Sequence, residues 1–203
     1  MLHNKDYRKG KVMRITSGST LFVRSDTLSS RVIAWATRAK REGPTLATHQ
    51  GKIMPQLGYD DVIEASSKKG EVIVRCLNDA VKGMEFAIVA PRVTVSAEYV
   101  GDVYSMVGWK YSHKLLPLYL IDGLLSKMCG QSMIGLDVIV ARKLMKDKWD
   151  AGVVCALTGN RVDIKYGLLP EILKYASPDD TWDWVSTHPD MWEIVCWSEG
   201  WYK

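Results

Sequence analysis

Residues 47–54 are ATHQGKIM, and residues 61–66 are DVIEAS. Both stretches have the length and the branched apolar content of strands, and a turn sequence beginning at Gly58 separates them. The pattern predicts a hairpin with His49 on its first strand and Glu64 on its second. Because the chain has only four histidines, this placement raises the question of a chemical role for the two side chains.

Alternation along the first strand predicts which side chains are buried. His49 falls on the same side as Gly51 and Ile53, whereas Gln50, Lys52 and Met54 fall on the other side. Polar residues on that second side are typical of a strand with one face in water. We therefore expect His49 to face inward and Lys52 to face solvent. On the returning strand, Glu64 is expected to lie on the same side as Val62.

The segments around the hairpin predict an α+β domain. Hydrophobic periodicity and helix-start signals indicate strands at 18–24, 71–77 and 85–95, a helix at 27–40, a helix capped by Ser96, and a possible closing strand at 191–197. The sequence SPDD at 177–180 supplies an N-cap serine, a proline at the first helical position and two acidic residues. Another helix is expected to begin near Cys155, although Gly159 and Asn160 weaken that prediction.

Composition limits the possible functions. The chain has 203 residues, 47% of them apolar, and a net charge of +4 from 27 basic and 23 acidic residues spread along it. We expect one domain over residues 1–203 and no nucleic-acid partner, because no basic arm or stripe is present. The apolar run LLPLYLIDGLL contains a proline and an aspartate and is too short to span a bilayer.

Further sequence features concern location and cofactors. No signal-peptide pattern follows the N-terminus, so we expect a cytoplasmic or phage-encoded protein. The four cysteines lie far apart without a CxxC pair, which predicts neither a metal site nor a disulfide framework, and no cofactor is expected. The oligomeric state stays open.

The order of these motifs resembles the circularly permuted NlpC-type papain-like hydrolases, the YaeF/YiiX-like amidases. In that group a GD-[IL]-[IL]-F strand precedes a [ST]-H-x-G-[IV] strand and VIEA, and a CSE-type nucleophile motif comes late, ahead of [ST]-P-D-D. This chain has GSTLF, THQGKI, VIEA, VVCALTG and SPDD in the same order. It departs from the pattern at Ser19 and at Ala156 and Leu157, directly after the cysteine.

The resemblance implies a papain-like antiparallel sheet packed with helices and a thiol amidohydrolase site. Cys155 would be the nucleophile, His49 the base and Glu64 the residue that orients the imidazole, with Tyr111 in the substrate pocket. A helix start favours thiolate, because its free N–H groups and dipole stabilise negative charge. The implied substrate is an amide bond in a peptide or peptidoglycan-like molecule.

Three alternatives stay open. Related permuted proteins carry out lipid acyl transfer, which makes a lipid acyl hydrolase or acyltransferase possible. The residues that follow Cys155 support a catalytically inactive binding domain. Cys129 is the rival nucleophile, although it is expected at a helix C-terminus, where the dipole disfavours thiolate.

Overall fold

A six-stranded antiparallel sheet organises the computed structural model and confirms the α+β class. The structure describes residues 15–26, 30, 31, 34, 47–55, 60–111 and 155–202, without the side chains of Cys155, Leu157 and Tyr175. The strands are β1 Ser19–Arg24, β2 His49–Pro55, β3 Asp60–Ser66, β4 Glu71–Cys76, β5 Glu85–Pro91 and β6 Trp192–Trp197. Their order in the sheet is β4, β3, β2, β1, β5, β6.

Helices join or cover these strands. Within the described residues they are α1 Leu77–Val81, α2 Ala97–Ser105, α3 Cys155–Lys165 and α4 Pro178–Thr187, with a 3₁₀ turn at Glu171–Tyr175. The predicted starts of α2 and α4 are confirmed, since Ser96 and Ser177 each accept a hydrogen bond from a backbone N–H of the first turn. In α4 the side chain of Asp180 also accepts from the Ser177 backbone, which completes a capping box.

The sheet buries both of its faces, in two separate apolar clusters. One cluster includes Phe22, Met54 and Ile63 together with Val162 of α3 and Trp182 of α4. We call this the helix face. The other cluster includes Leu21, Val23, Ile53, Val62 and Ile88, and apolar residues of α1 pack on it. We call this the opposite face.

The prediction that Lys52 and Gln50 face solvent is wrong. Both side chains belong to the helix face, and both residues are only 1% exposed. The Lys52 ammonium lies 2.5 Å from a carboxylate oxygen of Asp163, which α3 supplies. A lysine can be buried when such a partner is present, and alternation alone does not reveal the partner.

Helix α3 begins at Cys155, as expected, and continues through Gly159 and Asn160, where the sequence weakened the prediction. Tertiary contacts explain the difference. A Cβ atom at Gly159 would lie 3.0 Å from Gln50 Nε2 and 3.2 Å from Lys52 Cε, so glycine lets the helix approach β2 closely. Asn160 donates to the Leu173 carbonyl and to Thr181 Oγ1, and it accepts from Gln50.

Other predictions change in extent or lie outside the described residues. The strand expected at 85–95 ends at Pro91, and the strand expected at 71–77 ends at Cys76, where α1 follows. In the helix expected at 27–40, Ser30, Arg31 and Ala34 are helical. The rest of that segment, the apolar run after residue 114 and Cys129 lie outside the described residues.

Candidate active site

His49 and Glu64 are joined directly. His49 is the first residue of β2, Glu64 lies in β3, and His49 Nε2 is 2.7 Å from Glu64 Oε2. The histidine side chain is 28% exposed, whereas that of the glutamate is 5% exposed. The pair therefore has one buried member and one member that reaches the surface.

Gly51 explains why the pair forms across the hairpin. Gly51 is two residues after His49 on the same side of β2, and a Cβ atom at its position would be 3.2 Å from Glu64 Cβ and 2.7 Å from Val62 Cγ1. With no side chain there, the imidazole can extend over Gly51 to the carboxylate on the next strand. The motif THQG thus has a structural reason for glycine two residues after histidine.

Glu64 is held by a second partner on β4. Arg75 Nη1 donates to Glu64 Oε1 at 2.9 Å, so the two carboxylate oxygens have different partners. Burial raises the pKa of Glu64, but the hydrogen bonds and charges of His49 and Arg75 outweigh it and hold that pKa below its usual range. Glu64 is therefore an ionised acceptor for the imidazole at neutral pH.

Helix α3 reaches the same end of β2 from the helix face. Its first residue is Cys155, and Gln50 Nε2 donates to the carbonyl of Ala156 at 3.3 Å. The first turn of the helix thus contacts the residue next to His49. The His49 ring lies on the opposite face of the sheet. The helix start and the ring are therefore both near the beginning of β2, but on different faces.

Tyr111 lies near the start of β4. Its backbone N–H donates to the Gly70 carbonyl at 2.7 Å, and its ring packs on the cluster of the helix face. The structure brings His49 and Glu64 into contact, and it places the α3 start against Gln50 on the other face of β2. The roles predicted for Cys155 and Tyr111 stay predictions.

The structure shows two polar features that the sequence did not single out, Arg75 beside Glu64 and a buried cluster on the helix face. Arg75 was overlooked because it contacts Glu64 only through the pairing of β3 with β4. Lys52 and Asp163 form a buried cluster with Tyr99, whose hydroxyl donates to Asp163 at 2.7 Å. Burial lowers the pKa of Lys52 and raises that of Asp163, and the attraction between the two opposes both shifts. The only sign of this buried cluster in the sequence was a lysine within a predicted strand.

Cysteines other than Cys155 give a contrast. Burial raises the pKa of the Cys196 thiol to about 11, so this thiol is protonated at neutral pH. Cys76 is partly buried at the end of β4, as expected for a packing residue.

Within the described ranges, no three His, Cys, Asp or Glu side chains are grouped so as to hold a metal ion. No helix in that part of the chain is long and apolar enough to cross a membrane.

Comparisons with known proteins give a distant likeness among solved structures. No family model matches the chain, and no curated protein matches it. Among solved structures it is similar to the metalloprotein yiiX (DUF1105) from Escherichia coli O157:H7, with 16% identity and a TM-score of 0.40. The likeness covers 74% of this chain and 65% of that protein, so the chain spans about two thirds of the length of the structure that it matches.

Proposed function

We propose that this chain is a cysteine hydrolase of the permuted papain-like type that cleaves an amide bond. In this proposal residues 1–203 form one domain, Cys155 is the nucleophile, His49 is the base and Glu64 orients the imidazole. The order of the three residues along the chain, which matches the permuted arrangement that the sequence resembles, supports the proposal. So does the α+β architecture with the histidine and the glutamate on neighbouring strands.

The observation that carries the proposal is the hydrogen bond between His49 and Glu64. A buried carboxylate fixes one ring nitrogen of a partly exposed imidazole, which is the arrangement that a general base requires. The start of α3 contacts Gln50, the residue next to His49 in β2, and N–H groups at a helix start favour thiolate.

The proposed reaction has two stages. The Cys155 thiolate attacks the substrate carbonyl carbon, and the backbone N–H of Cys155 donates to the oxyanion that forms. The imidazolium of His49 gives its proton to the leaving amine, and the acyl group stays on the sulfur. Water then attacks the thioester with His49 as base, which releases the carboxylic acid and restores the thiol.

The proposed substrate is a peptide or a peptidoglycan-like molecule, with Tyr111 contributing to its pocket. The main enzymatic alternative is a lipid acyl substrate on the same residues. A second candidate function is binding without catalysis. The specific observation in its favour is that α3 packs on the face of β2 opposite to the His49 ring.

Thiol labelling tests the hydrolase proposal. Iodoacetamide at neutral pH, followed by mass spectrometry, is expected to alkylate Cys155 well before Cys76, Cys129 and Cys196. His49→Ala is expected to slow this labelling by about tenfold or more, because the thiolate loses its imidazolium partner. The matched control is His188→Ala, since His188 stacks on Trp184 at the end of α4 and is expected to leave the labelling unchanged.

Equal labelling of the four cysteines, or labelling led by Cys129, would remove the hydrolase proposal in this form. Where Cys155 is selectively labelled, peptide amides and esters of increasing acyl length separate the substrates. A peptidase gives turnover of the amides, whereas an acyl pocket makes the ester rate rise with chain length. Selective labelling without turnover of either favours the binding function.

A further inference from the structure

Arg75 connects Glu64 to the helix that follows β4. Its Nη1 donates to Glu64 Oε1 at 2.9 Å, and its Nη2 donates to the backbone carbonyl of Asp79 at 2.6 Å. Asp79 belongs to α1, the short helix that packs on the opposite face. One guanidinium thus ties the carboxylate both to a charge and to a fixed point of the backbone.

The two oxygens of Glu64 are divided between two partners. Oε2 lies 2.7 Å from His49 Nε2, and Oε1 accepts from Arg75. Because Arg75 occupies one oxygen, the carboxylate cannot rotate about its last bond without losing the guanidinium. The planar fork of arginine suits this task, since it holds two acceptors at once in a fixed geometry.

We propose that Arg75 is a positioning residue: it keeps Glu64 ionised and oriented toward His49, and it thereby sets the lowest pH at which the hydrogen bond between them persists. The inference rests on the proposed function, in which Glu64 orients the catalytic imidazole. It adds a fourth residue on a fourth element, and it predicts how the site responds to acid.

The charged groups near Glu64 give the direction of the effect. His49 of β2 and Arg75 of β4 both favour the ionised carboxylate, and burial opposes it. Asp79 is the acidic residue in the first turn of α1, and Glu71, on the same side of β4 as Arg75, is exposed. Without the guanidinium, less positive charge opposes the effect of burial, so the pKa of Glu64 rises and the carboxylate takes up a proton at a higher pH.

A pH titration of the Glu64 carboxyl tests the inference. The protein is labelled with ¹³C at its glutamate carboxyl groups, and the Glu64 signal is assigned by its loss in Glu64→Gln. In Arg75→Gln the midpoint is expected to move to higher pH by about one unit, as for a carboxylate that loses a neighbouring cation. The ring signals of His49 are expected to change over the same pH range.

The matched control is Arg92→Gln. Arg92 is 45% exposed against 39% for Arg75, it donates to a backbone carbonyl, that of Pro189, and it pairs with Glu193. This variant removes equivalent contacts at a different place and is expected to leave the Glu64 midpoint unchanged. Arg75→Lys keeps the charge without the fork, so its midpoint is expected to lie between those of the wild type and Arg75→Gln.

An unchanged Glu64 midpoint in both Arg75 variants would overturn the inference, and if Arg75→Gln does not fold, the Arg75→Lys titration decides. Alkylation of Cys155 across pH separates this failure from failure of the proposed function. If the hydrolase proposal holds, the pH below which alkylation of Cys155 slows is expected to move with the Glu64 midpoint. If Cys155 is unreactive in the wild type, the titration still shows whether Arg75 positions Glu64, but the function is not that of a hydrolase.

Discussion

Two pairs of ionisable groups involve strand β2, at positions three residues apart and on opposite faces of the sheet. Lys52 pairs with Asp163 on the helix face, and both side chains are at most 2% exposed. His49 pairs with Glu64 on the opposite face, where the ring is 28% exposed. Strand β2 therefore carries one pair that water does not reach and one pair whose basic member is open to it.

The difference in surroundings assigns different roles to the two pairs. The Lys52 ammonium contacts Asp163, Thr20 Oγ1 at 2.6 Å and the Gly18 carbonyl at 3.3 Å, so its three donors all have acceptors. Such a saturated, buried lysine ties α3 to β2 and β1 and has no proton to offer a substrate. A chemical role belongs to the pair with the exposed ring.

The largest expected effect is on folding. Lys52→Met leaves the Asp163 carboxylate buried without its partner, which is expected to cost about 3 to 5 kcal/mol of unfolding free energy. His49→Gln on the same strand is expected to cost about 1 kcal/mol, because its ring is partly in water. Urea denaturation of the two variants measures the contrast directly.

The double variant Lys52→Met with Asp163→Leu is the control for that measurement. It removes both charges from the helix face and is expected to recover much of the lost stability. If Lys52→Met cost no more than His49→Gln, the ammonium would not be the structural tie that its burial indicates.

An intermediate effect is expected at the glycine between the paired side chains. A methyl group at Gly51 meets Val62 Cγ1 at 2.7 Å, so Gly51→Ala is expected to destabilise the fold by about 1 to 3 kcal/mol. Because Glu64 Cβ is also in contact, the His49 ring signals are expected to shift in the NMR spectrum. Thermal unfolding and a heteronuclear spectrum report the two consequences.

Gly101→Ala provides the comparison for Gly51. Gly101 lies within α2, and apart from its chain neighbours and the backbone of its own helix no atom lies within 4 Å of a Cβ at its position. Alanine there is expected to stabilise the helix by about 0.5 to 1 kcal/mol. Equal effects at the two glycines would show that the hairpin tolerates a side chain between His49 and Glu64.

The smallest expected effect is on the pH dependence of stability. The pKa of Glu64 lies below its usual 4.5 in the folded protein, so its contribution is complete above about pH 4.5 and is lost as the pH falls through the folded value. The Glu64→Gln variant has no titrating group at this position. Its unfolding free energy is therefore expected to fall less steeply than that of the wild type as the pH decreases through that range. Urea denaturation between pH 3 and 6 gives the two slopes. Parallel slopes would indicate that Glu64 is not held ionised by His49 and Arg75.

The paired histidine and glutamate could be predicted because their information is local. Alternation puts His49 and Gly51 on one side of a strand, and a short hairpin brings Glu64 beside them. Alternation also gave the side of the strand on which Lys52 lies. The burial of that side could not be predicted in the same way, because it depends on Asp163 in a helix far along the chain. Arg75 is nearer to Glu64 in sequence than His49 is, but its contact depends on the register of β4 against β3, which alternation along a strand does not give.

The sequence by itself determined the strands, the capped helix starts and the hairpin that joins His49 to Glu64, since each depends on periods of two or 3.6 residues and on side chains near in the chain. Only the tertiary structure decided that both faces of β2 are buried and that Gly159 and Asn160 continue a helix. Those features depend on contacts between distant segments, whose energies outweigh local preference once the segments pack together.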